Sequence, residues 1–120
     1  MRSTWIEHQG KKIFYQDFSK LFYNSEAVKA ELAAVQEIVK AQPKDSVLVL
    51  TDMRDTNVGS DLLPVMNAAS AATKAFVKKT AVLGVVGVKR KLADLLTAIT
   101  GQPLKYFDDV ESAKDWLAED

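Results

Sequence analysis

Two short apolar runs, "SVLVLTD" at residues 46–52 and "TAVLGVV" at residues 80–86, constrain the fold of this chain more than any other feature. A strand with one solvated face alternates apolar and polar side chains; these runs barely alternate and are rich in valine. They read as strands buried on both faces, the pattern of a parallel sheet covered by helices. Parallel neighbours need a long crossover between them, and "GSDLLPVMNAASAATKAFVKK" supplies a helix for it. Pro64 suits the first helical turn, where its missing N–H has no role. Ser60 and Asp61 are expected to cap this helix, and Val65, Ala69, Ala72 and Phe76 to form its inward stripe. Its alanine, serine and threonine content keeps it slim enough for close packing, or for a groove along Ala68 to Thr73.

The flanking segments extend the alternation. "TWIEHQGKKIFYQDFS" predicts a hairpin turning at Gln9-Gly10-Lys11. In "NSEAVKAELAAVQEIVKAQP", Val28, Leu32, Val35 and Val39 fall on one helical stripe, with Asn24 or Ser25 as cap and Pro43 beyond the end. Leu92, Leu95, Leu96 and Ile99 predict a further helix stopped at Gly101 and Pro103. "LKYF" is a short last strand. "DDVESAKDWLAED" is a terminal helix with Asp108 and Glu111 placed as a capping box, and Trp116-Leu117 docking it on the sheet. The order β-β-α-β-α-β-α-β-α implies an α/β fold: a single mixed, mainly parallel sheet of about five strands, flanked by about four helices. No repeat or linker interrupts it, so residues 1–120 are expected to form one domain.

Charge and composition narrow the function. Sixteen basic residues balance sixteen acidic ones, which argues against nucleic acid as a partner. The absence of cysteine excludes disulfides, thiolate metal sites and thiol catalysis. The opening "MRSTWIEHQGKK" lacks the apolar stretch of a signal peptide, and no apolar run is long enough to span a bilayer, so a cytoplasmic setting is expected.

The glycine-broken run "TAVLGVVGVKRKL" invites comparison with phosphate-binding loops. Gly84 and Gly87 are two residues apart and Val88 follows, which fits neither a P-loop nor the dinucleotide fingerprint. Val85 and Val86 also lack the polar character of an RNA-clamping loop. The simpler reading is that Gly84 lets a neighbouring helix or strand approach closely and Gly87 turns the chain out of the sheet. Lys89, Arg90 and Lys91 would then stand in the first turn of a helix, where the macrodipole disfavours cations and an anion would be welcome.

Asp17, Asp52 and Asp55 sit at or beyond strand ends, where metal or phosphoacceptor chemistry is one reading and turn formation another. His8, the single histidine, lacks an identifiable nucleophile or co-ligand and reads as a strand residue near the turn.

Taken in order, "HQGKKIFYQDFS", "VLVLTDMRD", "VKKTAVLGVVGVKR" and "YFDDVESAKDWL" resemble the SpoIIAA-like branch of the STAS domain superfamily along nearly the whole chain. The resemblance implies a small bacterial cytoplasmic α/β protein that binds partner proteins or small ligands without catalysis or cofactor. It also implies kinship in fold with the CRAL-TRIO lipid carriers. Antagonists of this superfamily carry an Asp-Ser-Ser-Gly-like phosphoacceptor motif between the central strand and the second helix. The matching stretch here, "DTNVGSDLL", holds Ser60, with Thr56 nearby, but lacks the motif.

These readings converge on a binding module for a protein partner in signalling, with a carrier or sensor of a small amphipathic, lipid-like anion as the alternative and chemistry at the three aspartates as a second alternative. The expected site is a rim of Thr56, Gly59, Ser60, Asp61, Gly87, Lys89 and Arg90, with Ser60 as a regulated hydroxyl and no metal. A homodimer is left open.

Overall fold

The computed structural model of the chain describes residues 2–57, 59–84 and 104–119. Its five strands are β1 (Thr4–His8), β2 (Lys11–Asp17), β3 (Val47–Asp52), β4 (Val77–Leu83) and β5 (Leu104–Phe107). Among the described residues there are three helices, α1 (Ser25–Lys40), α2 (Leu63–Thr73) and α3 (Val110–Ala118). The helix expected around Leu92 to Ile99 lies outside the described residues.

The strands form one sheet in the order β1-β2-β3-β4-β5. β1 and β2 are antiparallel, and every later pairing is parallel. The two apolar runs are therefore neighbours, Val49 beside Thr80 and Leu50 beside Ala81. Gln9 and Gly10 both take positive φ, 52° and 79°, as a two-residue hairpin turn requires.

Sequential parallel strands joined by right-handed crossovers carry their helices on one face. Accordingly α1 and α2 pack together over Phe14, Val47, Val49, Met53 and Val82, to which α1 adds the expected stripe of Val28, Leu32, Val35 and Val39. The opposite face, Ile13, Leu48, Leu50, Ala81 and Leu83, is covered by Ala113 and Leu117 of α3. The ring of Trp116 packs 5.6 Å from that of Phe107, so the Trp116-Leu117 pair docks the helix as expected.

Four local expectations need correction. α2 starts at Leu63 with Leu62 as its N-cap and no side-chain cap bond, so Ser60 and Asp61 do not cap it. Leu62 is fully buried, and its docking, not capping chemistry, sets the start. Ala72 is exposed and Phe76 lies beyond the helix, because the chain turns at Thr73 to enter β4. β4 itself begins at Val77, three residues earlier than the apolar run suggests. The terminal helix is capped by Asp109, whose carboxylate accepts from the Ser112 N–H at 2.7 Å, one residue after the expected Asp108.

Candidate functional site

The loops leaving β2 and β3 are sewn together beyond the strand ends. Lys20 N–H donates to the Arg54 carbonyl at 2.8 Å, Phe22 N–H to that of Asp55 at 2.9 Å, and Asn57 N–H to that of Phe22 at 2.6 Å. Thr56 completes the seam. Its buried hydroxyl donates to the Phe18 carbonyl and accepts from Leu21 N–H at 3.0 Å.

This path forces left-handed backbone on three residues that are not glycine: Lys20 (φ 57°), Phe22 (φ 50°) and Asp55 (φ 59°). Such conformations cost on the order of 1–3 kcal/mol each and persist only where surrounding bonds impose them. One consequence is that Phe22 and Tyr23 point outward, 60% and 83% exposed. Sequence reasoning missed this pair. The available signal was "LFYN", two aromatics in a strand-to-helix connection and off the stripe of the helix that follows.

Below the seam lies a polar network. The Asp52 carboxylate, fully buried, receives Arg54 Nη2 at 2.7 Å, Arg54 Nε at 3.0 Å and Tyr15 Oη at 2.6 Å. Burial alone would raise its pKa, but the hydrogen bonds from Arg54 and Tyr15 outweigh that and hold the carboxyl below its ordinary value. The same bonds, opposed by partial burial, raise Arg54 further. Gly84 closes the other side with φ +83°, and a Cβ there would sit 2.6 Å from Arg54 N and 2.8 Å from Met53 C. A close approach is found at this glycine, but to the backbone of the loop after β3 and not to the helix or strand expected there.

The three aspartates do not make a metal centre. Asp17 and Asp52 are register partners on adjacent strands. Asp17 is engaged by Ser19 Oγ at 2.6 Å and Ser19 N–H at 3.0 Å, and Asp52 by Arg54 and Tyr15. Among the described residues no three Asp, Glu or His side chains are grouped to hold an ion. His8 pairs instead with Asp115 of α3 at 2.7 Å, tying the hairpin to the terminal helix.

Of the expected rim, Thr56 is inside the seam, Gly59 is half-buried, and Ser60 and Asp61 are exposed in the turn before α2. Gly59 accepts from Leu62 N–H at 3.0 Å, which brings that turn round. Gly87, Lys89 and Arg90 lie outside the described residues. Among the described residues the strands run in sequential order, without a switch point of the kind at which doubly wound folds bind ligands. The loop after β2 puts two exposed aromatics on the surface here. Among the described residues no helix is long and apolar enough to cross a membrane.

A family model described as SpoIIAA-like matches residues 18–118, which hold both loops of the seam and β3 to α3. Among curated proteins nothing matches the chain.

Proposed function

The chain belongs to the SpoIIAA-like family, and from that membership we propose that it is a non-enzymatic regulatory module that binds a partner protein in cytoplasmic bacterial signalling. The exposed Phe22 and Tyr23 on the strained seam carry this reading. Aromatic side chains dominate the energetics of protein interfaces, and a rigid backbone presents them at low entropic cost. Ser60 and Asp61, both exposed, follow Asn57 of the seam closely in the chain, and in this reading they supply a polar part of the partner surface. A phosphate on Ser60 would meet the start of α2, whose first turn has no acidic side chain, and would change what the partner meets.

The test is affinity capture from extracts of the native host with the wild-type chain and a Phe22→Ser/Tyr23→Ser variant, read by quantitative mass spectrometry. The reading expects a stoichiometric protein that the double variant loses while its circular dichroism stays unchanged. Equal recovery by both proteins would overturn it.

A further inference from the structure

Among the described residues β1 pairs with β2 on one side and with no strand on the other. The two-residue turn at Gln9 and Gly10 makes His8 and Lys11 a hydrogen-bonded pair, and such pairs alternate along an antiparallel ladder. Thr4 and Ile6 therefore bond to β2, while Trp5 and Glu7 turn their N–H and C=O groups outward. Ser3 keeps the same parity: its N–H goes to Glu31 of α1 at 2.8 Å instead of to β2. The open edge consists of the backbone groups of Trp5 and Glu7.

Edges that stay in solvent are commonly blunted by proline, lysine or a bulge. β1, "TWIEH", holds neither proline nor lysine, and its pairing with β2 runs without a register shift. A second copy of β1 fits this edge in one register. Laid antiparallel about a two-fold axis through Ile6, it sets Trp5 of each copy opposite Glu7 of the other and pairs every outward group on both strands. An axis through Trp5 would put Glu7 opposite Ser3, whose N–H Glu31 already holds. An axis through Glu7 would oppose two carboxylates.

The charges agree with the Ile6 axis. Trp5 and Glu7, two residues apart, share one face of the strand. Glu7 is exposed, and among the described residues no hydrogen bond or ion pair engages its carboxylate. Lys12, also exposed, rests its ammonium over the Trp5 ring, 5.6 Å from the centre. Pairing brings Glu7 of the second copy beside that ring, within reach of Lys12, and does so in both halves of the interface. On the other face, half-buried Ile6 meets Ile6 of the second copy on the axis. We propose that the chain forms a homodimer through antiparallel pairing of β1 with β1 of a second copy, Trp5 opposite Glu7, with Lys12 and Glu7 as the charges that fix the register. This surface contains neither Phe22 nor Tyr23 and does not depend on the partner-binding reading.

Analytical ultracentrifugation of the full chain is expected to show a reversible dimer. Hydrogen exchange at the Trp5 and Glu7 amides should slow as protein concentration rises, while Ile6 is protected by β2 throughout. Glu7→Pro removes an outward donor and no bond to β2, so it should keep its circular dichroism and abolish the dimer. Glu7→Lys and Lys12→Glu leave the backbone groups in place; each should weaken association about tenfold, and the combined Glu7→Lys/Lys12→Glu variant should recover most of it. A monomer at every concentration up to about 1 mM, a dimer untouched by Glu7→Pro, or no recovery in the combined variant would each overturn the proposal. Protection of Trp5 and Glu7 that is independent of concentration would overturn it by placing another part of this chain on the edge. A monomer that captures a different protein, lost with Glu7→Pro, would overturn it by assigning the edge to a foreign strand.

Discussion

Tyr15 donates its hydroxyl to the carboxylate of Asp52 at 2.6 Å, across the pairing of β2 with β3. Because Asp52 is fully buried and also gripped by Arg54, this bond belongs to a network that closes the end of the sheet just beneath the exposed aromatic rim. Burial, the bond to Asp52 and the negative charge of Asp52 together push the Tyr15 phenol from 10.0 up to about 12.

A phenol with a raised pKa is more easily kept protonated in the folded chain than in the unfolded one. Its stabilising contribution is complete below pH 10.0 and is lost as pH rises towards about 12. Ultraviolet titration of phenolate should therefore show a late-ionising component to which Tyr15 contributes. Tyr15→Phe should diminish that component by one phenol. A late component of undiminished size in the variant would overturn the assignment to Tyr15.

Gly84 and Gly10 make a matched pair. Both have left-handed backbone, φ +83° and +79°, but a Cβ at Gly10 meets nothing within 4 Å, while one at Gly84 would sit 2.6 Å from Arg54 N. Gly10→Ala should lose only the conformational term, about 1 kcal/mol. Gly84→Ala adds a clash with backbone that cannot swing aside, and should lose at least about 2 kcal/mol more. Urea denaturation of the two variants measures the difference, and equal losses would mean that the loop after β3 relaxes freely.

What the sequence reveals and what it conceals divides along sequence separation. β3, β4, the α1 stripe and the hairpin turn were readable because each rests on neighbours within a few residues. Gly84 was readable in kind, as a point of close approach, without its partner. Glu31 and Thr56 were not readable as buried groups. Glu31 sits three residues after Val28, on the inward side of α1, yet its partners Arg2 and Ser3 lie 29 and 28 residues away. Thr56 binds Phe18 across 38 residues. Leu62 displaced Ser60 and Asp61 from the start of α2 because burying a leucine outweighed a local cap. Phe22 and Tyr23 look like core by type, and only the backbone path of the seam turns them outward.

Glu31 gives an acid-sensitive clasp. Its buried carboxylate accepts from Ser3 Oγ at 2.6 Å, Ser3 N–H at 2.8 Å and Arg2 N–H at 3.1 Å, and Ser3 Oγ in turn accepts from Asp17 N–H at 3.0 Å. Burial alone would raise the carboxyl, but these bonds outweigh it and lower its pKa below the ordinary 4.5. The stability they contribute is present above pH 4.5 and is lost as pH falls through the lowered value. Glu31→Gln turns one amide N–H₂ towards donors, which should cost about 1–2 kcal/mol at neutral pH and flatten the acid loss. Hydrogen exchange at Ser3 and Asp17 should quicken in the variant; unchanged rates there would mean that the clasp holds by other contacts.

Phe22→Asn separates what the seam does for folding from the binding proposed for it. Phe22 holds φ 50° because its N–H and carbonyl bond Asp55 and Asn57, and those backbone bonds survive any substitution. Asparagine tolerates left-handed backbone far better than phenylalanine, so the variant sheds part of a strain of about 1 kcal/mol. It also sheds little packing, since the ring is 60% exposed. The expected outcome is a melting temperature equal to or above that of the wild type, together with loss of the protein captured through Phe22 and Tyr23. A stability gain bought with lost recognition is what a strained binding surface entails. If the melting temperature instead falls by several degrees, the ring is part of the packed structure and the aromatic pair is not free to meet a partner.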